Sequence, residues 1–245
     1  MRFRLLTYNV HGCRGTDRRV SPARIATVIE ATGADVVALQ ELDFNRVRSG
    51  HVDQAAAIAA KLSMEFHYQP AWHLAEEKLG DAILSRLPMR LMKAGALPSF
   101  SRWKRERRGA VWVRLENGGR PVHLVNTHLG LNLRDRLAQT EALFGPEWLG
   151  NSQCGPPLVL CGDFNALPGS AVHRRVLQQL HDVHANTLTT RRRRRTFPTQ
   201  YPVACLDHIF LSEKVTVHHV EVVRTPLTRI ASDHYPLLAE LSVPF

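Results

Sequence analysis

The sequence predicts an α/β fold in which two mixed β-sheets pack face to face and helices flank them. Three observations lead there. The chain opens as strand–helix–strand, the unit of a layered α/β protein. Strand candidates then outnumber helix candidates roughly two to one, and several are joined by hairpin-length turns, unlike a simple parallel doubly wound sheet. Fully apolar runs such as VVAL (36–39) mark buried central strands. With 245 residues and 44% apolar composition, the chain can bury a sizeable core without staples. No linker-like stretch and no internal sequence repeat divides it, so one domain over residues 1–245 is expected.

The elements follow in order. Residues 2–10 alternate and then turn apolar, which reads as the first strand. A turn with Gly12 and Gly15 follows. Ser21 is placed to cap a helix that Pro22 opens, with Ile25, Val28 and Ile29 on one face and Gly33 at its end. Residues 53–62 form an Ala-rich helix packed by Ile58 and Leu62. Residues 82–85 read as a strand stopped by Pro88. Residues 110–115 and 121–126 are strands around Gly118-Gly119, a hairpin signal. Residues 135–144 are helical, 157–161 form a buried strand, and 171–180 are helical. Strands over 205–211, 215–223 and 236–241 close the chain.

Charge and cysteine usage bound the partners and the compartment. The chain has 32 Lys+Arg against 22 Asp+Glu, a formal net charge of +10, and 27 of the basic residues are arginine. Arginine grips phosphate bidentately, so the excess favours a polyanionic or phosphorylated partner; a compositional bias toward Arg and Ala would give the same number. No apolar run approaches the ~20 residues of a membrane span, which excludes a transmembrane helix. The start, MRFRLLTYNVHG, has too short an apolar run for a secretory signal. Cys13, Cys154, Cys161 and Cys205 lack CxxC spacing and read as reduced thiols rather than a disulfide frame or a zinc site. A cytoplasmic monomer is expected.

Polar residues gather where apolar strands end. Asn9 ends the first strand, Glu41 the second (VVALQE) and His128 the hairpin (LVNTH). Asp163 and Asn165 end LVLCGDFN, Asp207 sits in CLDHIF, and Asp233 and His234 precede the last strand. A single such residue is ordinarily a turn residue. Six sites mixing acids, amides and imidazoles point instead to chemistry. Asp163 and Asn165, two apart on an extended backbone, face the same side. Oxygen donors from Glu41, Asp233 and an amide suit a hard ion such as Mg²⁺ or Mn²⁺. Histidines without a thiolate cluster argue against structural zinc. Metal, imidazole and carboxylate together supply what phosphoester hydrolysis needs: an activated water, neutralised phosphate oxygens and a stabilised leaving group.

The set TYNVHG, LQE, NTHL, GDFNALPGS, LDHIF and SDHYPL, in that order, resembles the endonuclease/exonuclease/phosphatase superfamily of metal-dependent phosphohydrolases. The match runs from Tyr8 to Leu238, and GDFN together with SDH is its most specific part. The resemblance implies a four-layer α/β sandwich with the site at one edge of the paired sheets. It implies that Glu41 holds the metal with Asn9 beside it and that Asp233 completes the metal site. His128 would contact the scissile phosphate, Asp163 would position the attacking water or leaving group, and Asn165 would bind a phosphate oxygen. His234, oriented by Asp207, would be the general base or a phosphate-binding partner. His11 departs from the pattern, since abasic-site nucleases of the superfamily carry Asp there. That puts abasic-site repair and a second carboxylate ligand in doubt; His11 would line the substrate site or simply shield it.

Two basic stretches bear on the substrate: residues 101–108 (SRWKRERR) with Trp103, and residues 190–198 (TRRRRRTFP) with Arg193 and Phe197. They can track a phosphate backbone with an aromatic platform, hold anionic lipid headgroups, or simply be solvated loops. Arg46, Arg48 and Arg108 are further candidates for phosphate contact. The leading expectation is therefore a nuclease acting on nucleic acid. The alternative is a phosphodiesterase or phosphatase on a phospholipid headgroup, inositol phosphate or other small phosphoester. A non-catalytic phosphate-binding module fits poorly, because the acid–amide–imidazole set is intact.

Overall fold

The structure, a computed structural model, describes residues 1–100, 107–116, 119, 121–185, 190 and 192–244. Trp103, Gly118 and Arg191 lie outside the described residues. The elements run β1 (Arg2–Asn9), α1 (Pro22–Thr32), β2 (Val36–Phe44), α2 (Gln54–Leu62), β3 (Glu65–Leu74), β4 (Glu77–Ser85), β5 (Met89–Ala96), β6 (Gly109–Leu115) and β7 (Val122–His128). They continue α3 (Leu133–Phe144), β8 (Leu158–Asp163), α4 (Ala171–Val176), β9 (His181–Asp182), β10 (Asp207–Leu211), β11 (Thr216–Val222), α5 (Pro226–Ala231) and β12 (Leu237–Ser242).

The strands form two six-stranded sheets, ordered β11-β12-β1-β2-β4-β3 and β5-β6-β7-β8-β10-β9. Each sheet has one parallel pair, β1–β2 and β7–β8, and its other neighbours are antiparallel. The two orders are one pattern used twice, with α1 and α3 linking the parallel pairs. No sequence repeat announces this.

Strand alternation builds the layers. Phe3, Leu5, Val36, Ala38 and Ile83 of the first sheet meet Val111, Leu124, Val159, Cys161 and Ile209 of the second in a core between the sheets. The intervening residues Leu6, Tyr8, Val37 and Leu39 face outward and bury against α1 and α2. On the other outer face, Trp112, Val125, Leu160 and Phe210 pack with Leu143 of α3 and Val172 of α4. Three apolar interfaces between four layers make the sandwich the sequence predicts. Each fully buried Leu or Val side chain contributes about 1.5–3 kcal/mol relative to exposure.

The helix caps match the sequence. Ser21 accepts from the Arg24 amide, Asp53 from that of Ala56, and Gly33 ends α1 at φ 62°. Several boundaries differ. The helix expected over 171–180 ends at Val176 and continues as turns, and the strand expected from Cys205 begins at Asp207. β2 and β4 are longer than their apolar runs. β3, β5 and α5 were not expected: β3 and β5 are sheet edges, where one-sided pairing tolerates polar residues and Pro70, and α5 has only 6 residues. Among the described residues, no helix is long and apolar enough to cross a membrane.

Candidate active site

The inward register that is apolar through most of each strand turns polar at one end. Leu5 is followed two and four residues on by Thr7 and Asn9, and Ala38 by Gln40. Leu124 is followed by Asn126 and His128, and Cys161 by Asp163. Asp81 precedes Ile83, and Asp207 precedes Ile209, at the matching ends of β4 and β10. Glu41 would point outward by alternation. It sits instead at φ 60°, inside a register shift between β2 and β4, and this bulge re-aims it. Asn165 (φ 47°) and His11 (φ 49°) hold the same unusual backbone region beside the site.

These side chains form one network across both sheets. Asn9 Nδ2 donates to Glu41 Oε1 (3.1 Å) and to Asp163 Oδ2 (3.0 Å). Asp163 Oδ2 lies 3.6 Å from His128 Nε2 and 3.7 Å from His234 Nε2. His234 Nδ1 pairs with Asp207 Oδ2 at 2.8 Å. Asn165 Nδ2 donates to the Leu129 carbonyl (2.9 Å) and lies 3.1 Å from His128 Nε2. Arg108 Nη1 donates to His128 Nδ1 at 3.2 Å. Ser232 Oγ donates to the Asn9 carbonyl (2.8 Å), and His11 Nδ1 sits 3.4 Å from Asp233 Oδ2.

Burial sets the charge states. His128 titrates well below the usual imidazole range because it is buried and because Arg108 and His234 add positive charge. It is a neutral ring whose Nδ1 accepts from Arg108. Burial raises Asp163, and the pull of His234 only partly offsets this. For His234, burial opposes protonation, but Asp207, then Asp163 and Asp233, outweigh it and raise the ring. The network therefore favours imidazolium at His234 facing the Asp163 carboxyl.

The donor set fits a divalent cation. Asp163, Asp207 and His234 each bring a ligand atom within 4.8 Å of the others, and the buried oxygens Asp207 Oδ1 and Asp81 Oδ2 have no hydrogen-bond partner among the described residues. The Asp207–His234 hydrogen bond already uses one face of that trio. Glu41, 25% exposed at its side chain and tied to Asn9, is the most open carboxylate of the network's core. Asp233 stands on the His11 side, held by Ser232.

The expected substrate-binding residues separate. Phe197 packs against the His234 ring at 4.8 Å between centroids. Arg193 is exposed. Arg48 makes a two-point pair with buried Asp43 (2.7 and 2.8 Å), and Arg46 bonds the same carboxylate at 3.2 Å. Arg46 also pairs with Glu77 at 3.5 Å, so two acids match the two arginines, although the Arg48 side chain stays 50% exposed. Sequence reasoning missed Asp81. Its Oδ1 accepts from the Glu41 amide at 3.4 Å, and burial, offset in part by Arg108, pushes its carboxyl up to about 7. The signal was present: GDAILS is an acid opening an apolar strand, as in LDHIF.

Two packed mixed sheets, with acids, amides and imidazoles meeting at one end of their parallel strand pairs, define the fold and site of a metal-dependent phosphoester hydrolase. The chain belongs to the Endonuclease/Exonuclease/phosphatase family, whose model matches residues 6–234. The uncharacterized protein YbhP of Escherichia coli (strain K12) is 29% identical over 249 residues, covering 98% of this chain and 96% of that protein. An endonuclease/exonuclease/phosphatase from Beutenbergia cavernae has a TM-score of 0.79 at 22% identity, over 99% of this chain and 72% of its own. The mannosyl-6-phosphatase Bt3783 of Bacteroides thetaiotaomicron has a TM-score of 0.74 at 18% identity, over 98% and 99%.

Proposed function

We propose that the chain hydrolyses nucleic-acid phosphodiester bonds with Mg²⁺ or Mn²⁺. Glu41 and Asn9 would hold the cation, with Asp233 completing its shell. When bound, such an ion neutralises phosphate oxygens and makes water a better nucleophile. The remaining roles follow from charge state. Asp163, whose proton affinity burial raises, orients the attacking water and, as the carboxylate, takes its proton. His234, kept as imidazolium by Asp207, donates to the phosphate. Neutral His128 would contact the scissile phosphate alongside Arg108 and Asn165, which bring donors to its two ring nitrogens. Asn165 binds a phosphate oxygen.

One observation carries the polymer reading. The arginine-rich segment leads directly into the site. Arg224 Nη2 donates to the carbonyls of Arg192, Arg193 and Arg195 (3.1, 3.5 and 2.9 Å), which anchors the segment. Phe197 follows, against His234. Arg192 and Arg193 are exposed, placed to follow a phosphate backbone away from the cleavage point. The test is digestion of fluorescent single- and double-stranded DNA and RNA with Mg²⁺ or Mn²⁺, with Glu41→Ala and His234→Ala as controls. Metal-dependent cleavage lost in both variants is the expected result; none on any nucleic acid would overturn the reading. Similarity to a mannosyl-6-phosphatase favours a second reading, a small phosphoester. A phosphate-release screen over sugar phosphates, inositol phosphates and phospholipids separates the two.

A further inference from the structure

Behind the active site lies a second group of titratable residues that the hydrolytic reading does not use. Asp207 and His208 are consecutive on β10, so their side chains face opposite sides of the sheet. Asp207 enters the catalytic network. His208 points into the layer covered by α4, between Phe164 and Phe210. There it meets His173 of α4 and Asp182 of β9. His173 Nε2 lies 2.9 Å from Asp182 Oδ2, and His208 Nδ1 lies 4.0 Å from the same oxygen. The three ligand atoms all fall within 4.8 Å of one another. We propose that His173, Asp182 and His208 form a second metal site, selective for Zn²⁺ or a similar first-row transition ion.

Geometry supports it. The His208 Nε2 lies 2.8 Å from the Ala166 carbonyl, which can only accept, so Nε2 carries the proton and Nδ1 presents a lone pair toward Asp182. An imidazole that donates its far N–H to a backbone carbonyl is the usual arrangement behind a metal-bound histidine. Tetrahedral zinc at about 2.0–2.1 Å needs donors about 3.3 Å apart, and the 2.9 and 4.0 Å separations bracket that spacing. The His173 Nδ1, buried and without a hydrogen-bond partner among the described residues, is the one ring nitrogen of the cluster that the site leaves unsatisfied.

The donor chemistry decides the ion. Two imidazoles and one carboxylate suit zinc far better than Mg²⁺, which prefers oxygen and water. Water would take the fourth position. Asp182 also lines an open groove with His181, Val183 and residues of β11, which gives the ion a way in. Binding requires the His173 Nε2 to give up its proton, which moves to Nδ1 of the same ring or, if that nitrogen already carries one, leaves to solvent. The ion would join α4, β9 and β10 through side chains, and His208 would pass the constraint to Ala166, next to Asn165. The site is therefore structural, stiffening the loop that carries Asp163 and Asn165 from behind. Sequence alone argues against structural zinc for want of thiolates; here the fold assembles two imidazoles and a carboxylate from three separate elements.

The test uses the full chain with Glu41→Gln and His234→Ala, which disables the catalytic donors, in excess Mg²⁺. After chelator treatment and dialysis against Zn²⁺, elemental analysis should find one zinc per chain. Co²⁺ in its place should show tetrahedral visible absorption and two exchangeable imidazole N–H signals, hyperfine-shifted in proton NMR. Adding His173→Gln or His208→Gln should weaken Co²⁺ affinity roughly 100-fold or more. Zinc should also raise the Tm of the parent and leave that of the variants unchanged. The NMR readout needs no cluster variant, so it stands even if those variants fail to fold. No metal retained, no shifted N–H signals, or undiminished binding in folded variants would reduce the cluster to an ordinary His–Asp pair.

Discussion

The same sheet topology occurs twice, and the two copies place different chemistry at the same points. In the second sheet, Asp163 ends β8 and faces Asp207 on β10. In the first, Glu41 on β2 faces Asp81 on β4. Asp207 pairs with His234, which precedes β12; Asp81 feels the charge of Arg108, which precedes β6. Each of these two acids also keeps one buried oxygen without a partner. One half thus ends in an acid and a histidine, the other in an acid and an arginine. Arginine stays charged at any working pH, whereas histidine exchanges its proton. The difference teaches that the fold supplies two equivalent positions and that residue type divides them into a titrating side and an electrostatic side.

The sharpest way to break that comparison is to remove each base in turn. His234→Ala should cost ~10²–10⁴-fold in turnover of a generic phosphodiester such as bis-p-nitrophenyl phosphate. Arg108→Ala should cost only about tenfold, the kinetic equivalent of one charged hydrogen bond. Equal losses would mean that the two sides are not divided as described. Asp207→Asn should cost roughly 10²-fold, and it carries a signature in pH. Asp207 raises the His234 ring. Without it the imidazolium is lost at lower pH, so the alkaline limb of the pH–rate profile moves toward acid. Asp81→Asn should leave that limb in place.

The seam between the copies can be tested by stability. Gln40 Nε2 donates to Asn126 Oδ1 at 2.7 Å across the sheets, and Asn126 Nδ2 donates to the carbonyls of Leu39 and Ala82 at 2.9 Å each. Asn126→Ala strands these buried groups and should cost about 3 kcal/mol in denaturant unfolding. The smallest effect belongs to Asp81. Its carboxyl is raised to about 7 when folded, so its stabilising contribution is complete below the unfolded value of 3.8 and is lost as pH rises through 7. The Tm of Asp81→Asn, relative to wild type and in chelator, should therefore rise by a few degrees between pH 5 and pH 8. A flat difference would show that Asp81 is ionised throughout and that Arg108 fully compensates it.

Much of this was legible in the residues. The caps at Ser21 and Asp53, the buried runs at 36–39 and 157–161, and the hairpin around 110–126 are local patterns, and local patterns set which face of an element is apolar. Asn9, Glu41, His128, Asp163, Asn165, Asp207 and His234 could be named because each stands at an apolar run's end, and the structure brings them together. Asp81 escaped notice because GDAILS, an acid heading an apolar run, reads as readily as a turn acid until β4 pairs with β2. Arg48 looked available until folding delivered Asp43 to it.

The sequence by itself determined the kind of each central element, its buried face and the residue types able to perform hydrolysis, because periodicity and side-chain chemistry are properties of a chain segment. The tertiary structure alone decided which acid meets which base, why Glu41 points inward, and how His173, Asp182 and His208 come to share one pocket. Those outcomes depend on strand order, on a bulge between β2 and β4, and on contacts between segments from 9 to 223 residues apart. Pairing across such distances is set by the packing of whole sheets, which no local pattern encodes.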